Sequence, residues 1–124
     1  MLLSSLLLAA TVNPPVPLQA DLVLGDKVKH RQVQPLEYPD WIEAGQTVVA
    51  WSEVSGPGGG FVEHVWYRNG EEVAHHYLPL GTRAHSHTWS RHKLELGDYR
   101  IEVLAPDGKR LREISFTAQE PILD

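Results

Sequence analysis

The chain has no cysteine in its 124 residues, which excludes disulfide staples and thiolate chemistry together. A domain without cross-links depends on its hydrophobic core, and this length supports one modest core, not two. The first twenty residues hold no Lys, Arg, Asp or Glu, so the formal net charge of -5 arises entirely downstream. An acidic domain repels phosphate, which argues against nucleic acid and anionic lipid as partners. The basic stretch Lys109-Arg110 with Arg112 reads as a solvated strand face. Helical periodicity is missing over any useful length, and no internal repeat is present.

Local signatures of catalysis are missing too. Gly56-Pro57-Gly58-Gly59-Gly60 lacks the Gly-Lys-Ser/Thr that would cradle a phosphate, so it reads as a mobile connection. There is no Gly-x-Ser-x-Gly elbow. Ser86 lies between His85 and His87, but adjacent strand residues face opposite ways, and Glu63-His64 fails the same test. Glu71-Glu72 reads as an ordinary solvated turn. A hydrolase would need a Ser or Asp within hydrogen-bond reach of a histidine in a cleft. The chain therefore reads as non-enzymatic.

What is present begins with an apolar block, Met1 to Ala10, followed by a proline-containing stretch to Ala20. The block is too short to span a bilayer and has the length of a signal-peptide core, with small residues for cleavage after Ala10 or Ala20. A basic region ahead of it is lacking. Residues 1–20 read as a signal peptide or a disordered extension, with export the favoured reading. Residues 21–119 form the domain and 120–124 a short tail.

Downstream, alternating segments separated by turn residues predict strands. Asp21 to Pro35 suits an interrupted edge strand, and Glu37 to Trp41 a connection, since Pro39 removes a ladder donor. Gln46 to Val54 is rich in β-branched and aromatic residues. Phe61 to Arg68 and Glu71 to Leu78 flank Asn69-Gly70, the signature of a two-residue type I′ hairpin. After a turn at Pro79 to Gly81 come Arg83 to Arg91, then Tyr99 to Leu104 and Arg110 to Thr117 around Pro106-Asp107-Gly108. About seven short strands of this kind predict an all-β, immunoglobulin-like antiparallel sandwich. Leu96-Gly97-Asp98-Tyr99 resembles a tyrosine corner, and Trp66 sits mid-strand as a core indole. Tyr99, Ile101 and Val103 should share that core with Ile114 and Phe116.

Seven histidines are the one chemically suggestive excess. His85 and His87 should point the same way, about 6.6 Å apart along a strand, a spacing that can offer two imidazoles to zinc or copper. A third ligand could come from His75, on a strand expected nearby, or from Glu71. The alternative is solvent-facing histidines with no ligand. His64 shares a face with Trp66 and reads as a hydrogen-bonded structural histidine. Phe61, Val65 and Tyr67 should face away from the core, joined by His75 with Tyr77 or by His76 with Leu78. Trp89 lies on the His85/His87 side of its strand. An outer face with Tyr, Trp and His suits a peptide, a partner protein or a sugar ring.

Ordered motifs along the chain resemble a bacterial family of domains of unknown function, the one numbered 2914. They are Trp51-Ser52-Glu53-Val54, the Gly56 to Gly60 loop, His64-Val65-Trp66-Tyr67-Arg68-Asn69-Gly70, Thr88-Trp89-Ser90, Gly97-Asp98-Tyr99-Arg100-Ile101-Glu102-Val103, Asp107-Gly108 with Leu111, and Phe116-Thr117-Ala118. The likeness runs from about Leu22 to Thr117. The family pattern Arg-Trp-Arg before Thr-Trp-Ser is replaced here by His85-Ser86-His87, so that feature belongs to this chain. The resemblance implies an exported or membrane-attached accessory domain of the bacterial envelope, with no reaction attached. The combined expectation is a periplasmic or secreted binding module without a transmembrane helix in its mature chain. Its partner would be an envelope protein, peptide or glycan. Tyr67, His75, Tyr77 and Trp89 are its candidate ligand-binding residues, and His85 and His87 the metal alternative.

Overall fold

The computed structural model describes residues 17–121. Nine strands follow in order: β1 (Gln19–Lys29), β2 (Gln32–Pro35), β3 (Ile42–Glu43), β4 (Thr47–Ser55), β5 (Phe61–Arg68), β6 (Glu71–Pro79), β7 (His85–Lys93), β8 (Gly97–Leu104) and β9 (Arg110–Gln119). They form a four-stranded sheet in the order β2-β1-β4-β7 and a five-stranded sheet in the order β3-β9-β8-β5-β6. Among the described residues no helix is long and apolar enough to cross a membrane.

The period-2 pattern decides which residues go inside. On β8, Tyr99, Ile101 and Val103 are buried while the residues between them are half-buried. They meet Val48 and Ala50 of β4, Trp66 of β5, Leu24 and Ile42 in one cluster, with Val54 and Val62 around Val103 in a second. Each such fully buried side chain contributes roughly 1.5–3 kcal/mol. Ile114 and Phe116 pack against the first cluster as expected. The tyrosine corner is present: the Glu95 backbone N–H donates to the Tyr99 hydroxyl at 2.9 Å.

Asn69 and Gly70 take φ of 51° and 84°, as a type I′ turn requires. Asn69 does more than turn the chain. Its Oδ1 accepts from the Asp98 N–H at 2.9 Å, and its own N–H donates to the Asp98 carbonyl at 2.7 Å. The hairpin tip is thereby fixed to the start of β8.

Two expectations are corrected, and one short strand joins those expected. Asp21 to Pro35 is a hairpin, not one interrupted strand, because His30 and Arg31 adopt φ of 52° and 59° and close a two-residue turn. Ile42-Glu43 forms a short strand running parallel to β9 beside Ala118 and Gln119. The Gly56 to Gly60 loop is tied down, with Gly56 N–H donating to Ala84 O at 3.0 Å, Gly59 N–H to Gly81 O at 2.8 Å and Leu80 N–H to Gly60 O at 2.9 Å. Gly58 lies so close to the Thr82 carbonyl that a Cβ there would overlap it.

β1 begins at Gln19, two residues before the expected domain boundary. Gln19 and Ala20 pair with Ser55 and Val54, and Leu18 and Ala20 pack on the second core cluster. The expected signal-peptide core, Met1 to Ala10, and the last three residues of the tail lie outside the described residues.

Candidate functional site

The interior holds a polar chain that crosses between the sheets. His64, fully buried on β5, contacts Ser52 Oγ of β4 through Nε2 at 2.7 Å and Ser90 Oγ of β7 through Nδ1 at 2.8 Å. Trp66 Nε1–H donates to Ser90 Oγ at 2.9 Å, and the Ser52 hydroxyl donates to the Thr88 carbonyl at 3.3 Å. Only one tautomer satisfies every group. Trp66 donates to Ser90, Ser90 to His64 Nδ1, His64 Nε2–H to Ser52, and Ser52 to Thr88, an unbroken run of donors and acceptors. A charged ring would put a second donor on Ser90 and leave the Ser90 hydroxyl hydrogen without its acceptor. Burial, with the nearby His76 ring second, lowers the His64 pKa from 6.5 to about 4. Ser–His contacts thus exist, but both side chains are sealed from solvent, so the contact is structural, in keeping with the reading of His64 from its shared face with Trp66.

Sequence reasoning missed Ser52 and Ser90 here. They stand in the Trp51-Ser52-Glu53 and Trp89-Ser90 motifs on paired strands, yet their link to His64 depends on how the two sheets stack.

The outer face of the five-stranded sheet gathers three of the four candidate binding residues. Cross-strand register sets Glu63 opposite Tyr77, Val65 opposite His75, and Tyr67 opposite Glu72 and Arg100. His75 with Tyr77 therefore joins Phe61, Val65 and Tyr67, while His76 and Leu78 face inward. Tyr77 is 66% exposed. Its ring stacks on His75 with centroids 5.0 Å apart and interplanar angle 9°, and Phe61 lies 5.9 Å away on the other side. Hydrogen bonding to the Glu63 carboxylate opposite, and then its charge, push the Tyr77 phenol above its usual range. The same carboxylate meets His75 Nε2 at 3.3 Å, while Glu72 lies 3.5 Å from Nδ1. Tyr67 lies under the Arg100 guanidinium, 4.1 Å from its ring centre.

Trp89, His85 and His87 lie on the opposite outer face, that of the four-stranded sheet. There Trp51 sits across from Trp89, Glu53 from His87 and Ser55 from His85. Trp51 points outward yet is only 2% exposed, flanked by His87 with ring centroids 4.9 Å apart and by Trp89 at 5.2 Å. Strand alternation from Val48 and Ala50 could have placed Trp51 on this face; its burial by its neighbours could not be read that way.

The expected nearness of His75 to His85 and His87 is corrected. β6 and β7 belong to different sheets, and these side chains face opposite sides of one molecule. Glu71, the other suggested third ligand, is on β6 as well. Among the described residues no group of three His, Cys, Asp or Glu is arranged to hold a metal ion. Two of the three residues of the basic stretch are paired: Arg112 meets Asp21 at 2.8 Å and Arg110 meets Glu113 at 2.6 Å.

Two packed, mainly antiparallel sheets, a tyrosine corner and a core indole define an immunoglobulin-like sandwich. Residues 61–118 match the family model described as a protein of unknown function (DUF2914). The family resemblance is borne out over β5 to β9. No curated protein matches the chain. Among solved structures, an immunoglobulin-like protein from Pseudomonas aeruginosa is similar at TM-score 0.58 and 12% identity, with 86% of this chain and 100% of that one covered. A CARDB domain from Pyrococcus furiosus, solved in complex with di-metal ions, gives TM-score 0.51 and 14% identity over 89% and 97%. Alkylpurine DNA glycosylase AlkC from Pseudomonas fluorescens gives 0.53 and 15% over 82% of this chain but 30% of its own. At these identities the likeness concerns the fold alone.

Proposed function

We propose that the chain is a non-enzymatic accessory module of the bacterial envelope, periplasmic or secreted, that holds a protein, peptide or glycan on the outer face of its five-stranded sheet. The observation that carries this reading is the exposed Tyr77 ring, stacked on His75 beside Phe61. Such a stacked group offers apolar area at a low cost in conformational freedom, together with a polar tip. The sealing of the Ser52–His64–Ser90 chain supports the non-enzymatic half. The apolar N-terminal block supports export, and cleavage after Ala10 would leave β1 whole.

A photo-crosslinking residue placed at Tyr77 in the full chain, expressed in cells, tests the reading. A discrete adduct is expected from position 77 and not from Lys109. Adding Phe61→Ala and His75→Ala should abolish it. Equal labelling from both positions would overturn the assignment of this face.

A further inference from the structure

The two long edge strands are open on the same flank. Among the described residues β6 has only β5 as sheet neighbour and β7 only β4, and the rims carrying them touch. The bonded Gly56 to Gly60 and 80–84 connections hold the two rims together at one end. Successive reversals through β4, β5, β6 and β7 leave β6 and β7 running in opposite directions. Rotating a second copy by half a turn about an axis parallel to the strands, in the midplane of the sandwich, exchanges its two sheets in space. β7 of that copy then lies in the plane of the first copy's five-stranded sheet, beside β6 and antiparallel to it, and the same holds on the other side.

We propose that the protein is a two-fold dimer in which β6 of each copy pairs with β7 of the other, completing the binding face across the seam. The second half of this statement rests on the function proposed above. Charge selects this pairing. β6 opens on Glu71-Glu72 and contains no Lys or Arg, while β7 ends on Arg91-His92-Lys93 and contains no Asp or Glu. Full antiparallel overlap sets acidic end on basic end, with outward-facing Glu72 at Arg91. It also sets outward residues opposite outward residues, Tyr77 at His87 and His75 at Trp89. Pairing each edge with its own copy would leave these charges unmatched. A second observation agrees. His76 Nε2 is buried without a hydrogen-bond partner among the described residues, and this register brings Thr88 of the second copy opposite it, on the inner side. Unpaired edges readily add strands; the bulge at Val73 lets Glu72 rather than Val73 stand at Arg91, and Pro79 ends the stretch that pairs.

The consequence is a composite site. Phe61, Tyr77 and His75 of one copy continue into His87, Trp89 and Trp51 of the other, so residues that one molecule divides between opposite faces become a single aromatic strip.

Sedimentation equilibrium of the full chain should show a dimer. Glu72→Lys or Arg91→Glu should each weaken it about tenfold, a change of 1.4 kcal/mol, and the double variant should regain most of the affinity. Because the natural chain lacks cysteine, cross-linking is unambiguous. A mixture of Tyr77→Cys and His87→Cys chains should form a disulfide that neither forms alone. A chain that stays monomeric to about 1 mM, or Tyr77→Cys linking to itself, would overturn the proposal. A dimer that holds no partner would sink the binding reading alone. A partner held by a monomer would sink the dimer alone.

Discussion

His64 bridges the sheets only while its ring is neutral. In the unfolded chain it takes a proton near 6.5, in the folded one at about 4. Between those values the unfolded state binds more protons, so the stability this residue contributes is present above 6.5 and is lost as pH falls through 4. The amount is roughly 3 kcal/mol. Urea unfolding at pH 7 and pH 4.5 should show most of that loss, and His64→Gln should flatten the dependence. Half-buried His92, whose pKa burial and then His76 lower against an opposing pull from Glu95, adds in the same direction. Ser90→Ala strands two buried groups, the Trp66 N–H and His64 Nδ1, and should cost about 2–4 kcal/mol in the same assay. How much of this the sequence disclosed follows from distance. That His64 is structural could be read from its shared face with Trp66, two residues away. Ser52 and Ser90 could not, because their meeting with His64 depends on β4 and β7 packing against β5 across the core.

Turns show the same division among elements. Asn69-Gly70 announces its hairpin because both residues tolerate positive φ. His30-Arg31 closes an equivalent turn with residues that announce nothing, and it holds because Val28 and Lys29 pair with Val33 and Gln32. The nine-element count therefore exceeds the expected seven through β2 and β3, short strands held by neighbours rather than by their own composition. The Gly56 to Gly60 loop, expected to be a mobile connection because it lacks a phosphate cradle, is held through its backbone. Gly58→Ala would press a methyl group into the Thr82 carbonyl, and a loss of at least about 2 kcal/mol is expected on thermal or urea unfolding. The start of β1 offers a second check. A chain beginning at residue 21 loses Leu18 and Ala20 from the second core cluster. It should be about 2 kcal/mol less stable than one beginning at residue 17.

At the scale of the whole molecule, two faces compete for the role of binding surface, and their exposure separates them. Tyr77 stands clear of its sheet, whereas Trp51 is roofed by its neighbours. Once a partner is in hand, Tyr77→Ala should weaken binding tenfold or more, in the range of an aromatic hot spot. His85→Ala with His87→Ala should change it less unless the second copy contributes. Zinc calorimetry at pH 7.4 and 5.5 supplies the contrast: the folded single chain offers two imidazoles there, so micromolar binding is not expected. Tight binding lost at the lower pH and in the double variant would put metal handling ahead of partner binding.

The stack of Trp51 on Trp89, at 5.2 Å and 14°, has a further consequence. Indoles held that close share their electronic excitation and give paired circular-dichroism bands of opposite sign. One indole belongs to the edge strand and the other to its neighbour, so the signal persists only while that rim stays zipped. The fold therefore carries an optical gauge of its own edge, readable without any label.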